Sequence, residues 1–149
     1  MVEERYLEDY PQGSTADFGG IAFTADEIRE FAGKWDPQPF HLGDGGPNSP
    51  FGGLAASGWH TAATVMRVLV EKYISEASSM GSPGLDIRWT APVKPGDVLS
   101  AHIEVMENRR SQTKPDRGIL VFDLTARNQN DVVVMTIHWT AIMRARPAK

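Results

Sequence analysis

Asp36 and His41 stand in the segment KWDPQPFH, Lys34 to His41, and are the two residues in it able to move protons near neutral pH. Pro37 and Pro39 fix their own φ near roughly −65° and drive the preceding residue out of the helical region. Asp36 and Gln38 are therefore biased towards extended backbone, and the segment cannot continue a helix. Two uses fit such rigidity. The pair is either a general acid/base couple that holds a water or a proton in a pocket, or a helix-terminating turn with a half-buried histidine. Because a D-x4-H spacing arises often by chance, spacing alone favours the turn.

The following loop alters that balance. FGGLAASGWH, Phe51 to His60, brings small residues and Gly58 to the start of a helix. A helix N-terminus presents unpaired N–H groups and a partial positive charge, and glycine admits a ligand close to that backbone. Such a place can hold a carbonyl oxygen that gains negative charge during reaction. Taken one by one, the same glycines read as close helix–sheet packing.

The elements that must position these residues follow from periodicity. DFGGIAF (Asp17–Phe23) reads as a short strand. Thr24 and Glu27 have capping-box spacing, and Ile28, Phe31, Ala32 and Trp35 then form the apolar stripe of a short helix that Pro37 ends. Gly43–Gly53 is a loop by composition. The longest helical pattern runs from about Ser57 to Met80, with Gly81 as its C-cap. Its first half is apolar or small on nearly every side, which demands a wrapper. GLDIRWTAPV, VLSAHIEVMENRR, GILVFDLTARN and VVVMTIHWTAIM supply it as strands, with turns at Lys94–Asp97 and Asn128–Asp131. The expected class is α+β: one antiparallel sheet, its last three strands a meander, against one long helix.

With 149 residues and no repeat or linker, the chain suits one domain over 1–149, residues 1–15 forming an irregular N-terminal segment. Hydrophobic residues at 41% and charged residues at 23% are ordinary for a soluble protein. A net charge of −4 argues against nucleic acid, and zero cysteines exclude disulfides and thiolate metal sites. The start has no basic segment leading into an apolar run, so it does not read as a secretory signal. The charge-free stretch Gly45–Met66 is broken by Gly, Pro, Asn, Ser and His, so no membrane span is expected. Cytoplasm is the default compartment.

The order of these parts resembles the MaoC-like dehydratases, hot-dog proteins that include the (R)-specific enoyl-CoA hydratases. DPQPFH matches that group's hydratase motif, approximately D-x-N-P-x-H, at Asp36, Pro39 and His41, with Gln38 in the asparagine position. Trp35 replaces a small residue before the aspartate, and Ser57 replaces a histidine often found before the glycine of ASGWHTAA. SQTKPDRG (Ser111–Gly118) is similar to a hairpin of part of the group. The resemblance runs from about Thr24 to the end. It implies a hot-dog domain and reversible hydration of a trans-2-enoyl-CoA to a (R)-3-hydroxyacyl-CoA. Asp36 and His41 would activate water and manage the α-carbon proton, the Gly58 N–H would hold the thioester oxygen, and Gln38, Ser57 and Trp59 would meet the substrate. It implies no cofactor beyond coenzyme A as part of the substrate, and a homodimer or a dimer-based oligomer. An acyl-CoA thioesterase and a non-catalytic acyl-thioester-binding domain are the alternatives.

Outside that motif, His60 reads as a packing residue, and His102 and His138 fall on the polar phase of their strands. No metal site is expected, since ligands would have to share one face and only the distant pair His41 and Asp44 offers anything. Arg109, Arg110, Lys114 and Arg117 cluster near one hairpin, either as a solvated turn or as a contact for coenzyme A phosphates. Trp89, and Trp59 apart from the resemblance, read as core or interface aromatics.

Overall fold

The computed structural model of the protein describes residues 3–148. Strand β1 (Thr15–Ala22) leads into helix α1 (Ala25–Trp35), and helix α2 (Gly58–Lys72) precedes strands β2 (Gly84–Trp89), β3 (Val98–Arg110), β4 (Arg117–Arg127) and β5 (Val133–Arg144). One sheet contains all five strands in the order β1-β3-β4-β5-β2, and every pairing is antiparallel. The expected meander is β3-β4-β5, and β1 and β2 are the two edges.

Strand alternation decides which face is covered. Leu99, Ala101, Ile103 and Val105 on β3 point inward with Leu120, Phe122 and Leu124 on β4 and Met135, Ile137, Trp139 and Ala141 on β5. Val65 and Leu69 of α2 join them, each almost wholly buried. Burial of side chains of this size contributes ~1.5–3 kcal/mol apiece, so the helix is held mainly by packing.

Thr24 caps α1 as its spacing predicts: Oγ1 accepts a hydrogen bond from the Glu27 N–H at 3.2 Å. The helix stops at the prolines, its last bond running from the Asp36 N–H to the Ala32 carbonyl at 2.9 Å. Ile28 and Ala32 are buried, but Trp35, expected on the same stripe, is 73% exposed. The covered surface ends one turn before it.

Helix α2 corrects the sequence reading twice. It ends at Lys72 rather than Met80, and Gly81 lies in a later loop with φ +89°. Both the Tyr73 and Ile74 N–H groups bond the Leu69 carbonyl, while the Tyr73 carbonyl accepts from the Tyr10 hydroxyl at 2.7 Å. The carbonyl that would continue the helix is thus taken by a side chain 63 residues away. After a turn, residues 78–81 instead run alongside the end of β5, where the Met80 N–H bonds the Ile142 carbonyl. Nor is the apolar first half buried all round. His60, Thr61, Val65 and Leu69 face inward, whereas Trp59, Met66 and Val70 form an opposite stripe that this chain leaves exposed.

The N-terminal segment is anchored to this core. Leu7, which begins a 3-10 turn at Leu7–Asp9, and Tyr10, which follows it, are both buried. Among the described residues no helix is long and apolar enough to cross a membrane.

Candidate active site

After α1 the chain runs extended through the prolines and makes one 3-10 turn, Pro39–His41. That turn drops His41 inward until it is 5% exposed. Its Nδ1 lies 2.6 Å from the Ala55 carbonyl oxygen. A carbonyl only accepts, so Nδ1 carries a proton, and Nε2 faces Asp36 Oδ2 at 3.3 Å. The Phe40 ring packs edge-on against the imidazole and the Phe51 ring lies parallel to it, fixing the ring plane.

Asp36 is held from two sides. Ser57 Oγ donates to Oδ2 at 2.7 Å, and Gln38 Nε2 donates to Oδ1 at 2.6 Å. Burial pushes the carboxyl upward, but the two hydrogen bonds and the neighbouring His41 outweigh it and hold Asp36 below its ordinary value. Asp36 is therefore a carboxylate at neutral pH. In the neutral imidazole, Nε2 and Oδ2 are both lone-pair groups converging on one point, an arrangement that grips a water or shares a proton.

The pair opens on a cavity of about 270 Å³ walled by Phe51, Ala56, Trp59, Trp89 and Pro92. Gly58 is at its rim as the first residue of α2, and its N–H has no hydrogen-bond partner among the described residues. Trp89 from β2 lies across Gly58, and its Nε1–H donates to the Gly58 carbonyl at 2.8 Å. A Cβ at position 58 would stand 2.5 Å from the indole, so any larger residue must displace the ring. Trp59 meets Trp89 edge to face at 5.2 Å.

The sequence-predicted residues thus divide. Asp36, His41, Gly58 and Trp59 line one cavity. Ser57 and Gln38, expected against substrate, both hydrogen-bond Asp36, and Ser57 is fully buried. His60 stacks on Phe31 at 4.9 Å, beside Phe23, in a different cleft, and burial lowers its pKa. His102 and His138 are exposed and pair with Asp17 and Asp123. The Arg109–Arg117 cluster lies at the β3–β4 hairpin, apart from the cavity. Among the described residues no group of three or more His, Cys, Asp or Glu could hold a metal ion. Local spacing carries no signal for Trp89, 31 residues from Gly58, or for Ala55 as the orienting partner of His41.

Comparison with known proteins bears on the fold and the family. The fold is similar to a MaoC-like dehydratase from Rhodospirillum rubrum, with a TM-score of 0.90 and 37% identity, covering 97% of this chain and 100% of that one. The uncharacterised protein YdeM of Bacillus subtilis is 27% identical over 130 residues, 86% of this chain and 91% of its own. The unliganded R-hydratase PhaJ1 of Pseudomonas aeruginosa shares the fold at a TM-score of 0.72 and 21% identity, over 95% of this chain and 86% of that one. Residues 10–121, more than half of the sequence, match the MaoC like domain, and the chain belongs to that family.

Proposed function

We propose that this protein is a hydro-lyase for acyl thioesters, hydrating a trans-2-enoyl-CoA to a (R)-3-hydroxyacyl-CoA or catalysing the reverse dehydration. The observation that carries the reading is the convergence of Asp36 Oδ2 and His41 Nε2, 3.3 Å apart, on a cavity rimmed by the Gly58 N–H, which is unpaired among the described residues. Addition of water across a conjugated thioester needs a group that takes a proton from water, one that gives a proton to the α-carbon, and a donor to the thioester oxygen. Asp36 and His41 hold the water between them. As its oxygen bonds the β-carbon, one of the pair takes a water proton. A proton passes from the pair to the α-carbon as the enolate collapses, so no net charge is left on the protein. The Gly58 N–H, at the positive end of α2, stabilises the oxygen that carries the transient negative charge.

Each proton-transfer role contributes ~10²–10⁴-fold and a single backbone donor ~10²–10³-fold. The reading therefore predicts that losing Asp36 or His41 removes nearly all turnover. Ser57 and Gln38 act as positioning residues, holding Asp36 ionised and aimed. The test is turnover of crotonyl-CoA and longer homologues with chiral analysis of the product. Release of free thiol instead would indicate a thioesterase, and tight binding without conversion would indicate a binding module.

We further propose a homodimer. Trp59, Met66 and Val70 form one exposed stripe on α2, and Leu85 and Trp89 are exposed on the edge strand β2. A second copy covering both would bury an apolar face and an open strand edge together. Sedimentation of the native chain tests this.

A further inference from the structure

A second cavity, of about 510 Å³, lies at the opposite end of the sheet from the Asp36–His41 pair. Ile119 and Ile142 face each other across β4 and β5, and both line it. Their neighbours Leu120 and Ala141 point into the core, so Ile119 and Ile142 are on the outer face of the sheet. Arg109 stands opposite Ile119 on β3, and Pro83 closes the side next to β2. The hairpin between β3 and β4 adds Ser111, Gln112, Thr113 and Lys114. Trp89, at the first cavity, pairs with Met135 on β5. Ile142 is seven residues further along that strand, roughly 23 Å at ~3.3 Å per residue, so the two cavities are separate.

The charges at this end are not balanced. Arg109 meets Glu107 at 3.5 Å and Arg117 meets Asp116 at 2.9 Å. Lys114 forms no ion pair among the described residues, nor does Arg144, which stands opposite Arg117 across β4 and β5. A chain of net charge −4 thus carries a positive rim around a pocket with an apolar floor. The volume is that of a small-molecule site. Branched aliphatic side chains offer a flat platform for a ring. Hydroxyl and amide groups offer hydrogen bonds to its edges, and arginine and lysine attract a phosphate. Ser111 Oγ already accepts the Lys114 N–H at 3.1 Å, so a fatty carboxylate, using the floor and one cation, would leave the Gln112 and Thr113 side chains unmatched.

We propose that this cavity binds a nucleoside phosphate, its base on Pro83, Ile119 and Ile142 and its phosphate at Lys114 and Arg109. The chemistry is shared by a free nucleotide and by the nucleotide end of a coenzyme A thioester. Only the second source rests on the hydro-lyase reading.

The experiment is calorimetric titration of the full chain with ADP, inorganic phosphate and octanoate. It uses wild type, Lys114→Ala, Ile119→Glu and Asp36→Asn. ADP binds at one site per chain, weakens about tenfold in Lys114→Ala through loss of a charge-assisted contact, and is lost in Ile119→Glu. It is unchanged in Asp36→Asn, and phosphate binds at least about tenfold more weakly than ADP for want of the apolar floor. Lys114 is exposed, so its replacement leaves the fold intact and keeps the test valid if Ile119→Glu misfolds. No ADP binding at millimolar concentration overturns the proposal, as does binding that Lys114→Ala leaves unchanged or octanoate binding more tightly than ADP. Turnover separates the sources. If ADP raises KM for crotonyl-CoA without lowering kcat, and Lys114→Ala also raises KM, the occupant is the nucleotide of the substrate. If ADP binds with KM unchanged, the occupant is a free nucleotide. If the chain hydrates no enoyl thioester, the calorimetry still decides the site.

Discussion

Gly58 and Trp89 are locked together closely enough for their coupling to be worked out in advance. A Cβ at position 58 would stand 2.5 Å from one carbon of the Trp89 indole and 2.7 Å from two further ring atoms. Non-bonded carbons prefer ~3.5–4.0 Å, so Gly58→Ala forces the ring outward by about 1 Å. Trp89 is 42% exposed and has room to move, but its bond to the Gly58 carbonyl is lost. That bond contributes ~0.5–1.5 kcal/mol net, and overpacking adds ~1–3 kcal/mol. Gly58→Ala in wild type therefore destabilises by about 2–4 kcal/mol. In a Trp89→Ala background neither penalty remains, and alanine in a helix is better than glycine by ~0.5–1 kcal/mol. The same substitution there is neutral or stabilising, which sets the coupling energy at about 2–4 kcal/mol or slightly above. Urea unfolding of the four proteins in a double-mutant cycle measures it. Effects that add within ~0.5 kcal/mol would refute the packing of Trp89 on Gly58.

Removing the 2.7 Å donor in Ser57→Ala lets the Asp36 pKa rise, so the acid limb of the kcat profile moves to higher pH while KM changes little. A merely structural serine would lower kcat equally at every pH. Asp36 also shapes acid stability. Its folded pKa is depressed, so its contribution is present above an unfolded value of ~3.9 and lost as pH falls through the lower folded value. Urea midpoints measured down to pH 2 should fall more steeply for wild type than for Asp36→Asn over that window. Val70→Glu, on the exposed stripe of α2, converts the proposed dimer to monomer, and sedimentation reads the halved mass. A Val70→Glu protein that remains dimeric would place the contact elsewhere.

Much of this molecule is legible in its residues because the relevant physics is local. The Thr24 cap, the stop at Pro37, the two-residue alternation of β3 to β5 and the turns at Gly96 and Asn128 all act within a few residues. D-x4-H likewise brings Asp36 and His41 together, since two prolines and one 3-10 turn set the geometry between them. What escaped depends on contacts across the fold. The end of α2 is set by Tyr10, and no glycine or proline marks Lys72. Ser57 reads as a residue beside a ligand until its hydroxyl is seen on Asp36, 21 residues earlier. Trp35 follows the apolar period of α1 yet stands in solvent, because periodicity gives a direction without giving the extent of the surface it meets. The apolar character of α2 on both sides was legible, but one face belongs to this chain's core and the other is left open.

The roles of Asp36 and His41 are tested most directly by the loss of enoyl-thioester absorbance with crotonyl-CoA and longer homologues, for wild type, Asp36→Asn and His41→Ala. Absorbance is expected to fall with wild type, giving the (R)-3-hydroxyacyl thioester. Each variant, though folded, should be slower by at least about 10²-fold. Hydration that survives in both variants would contradict the assignment of Asp36 and His41. A folded wild type that converts no homologue would contradict the reaction itself.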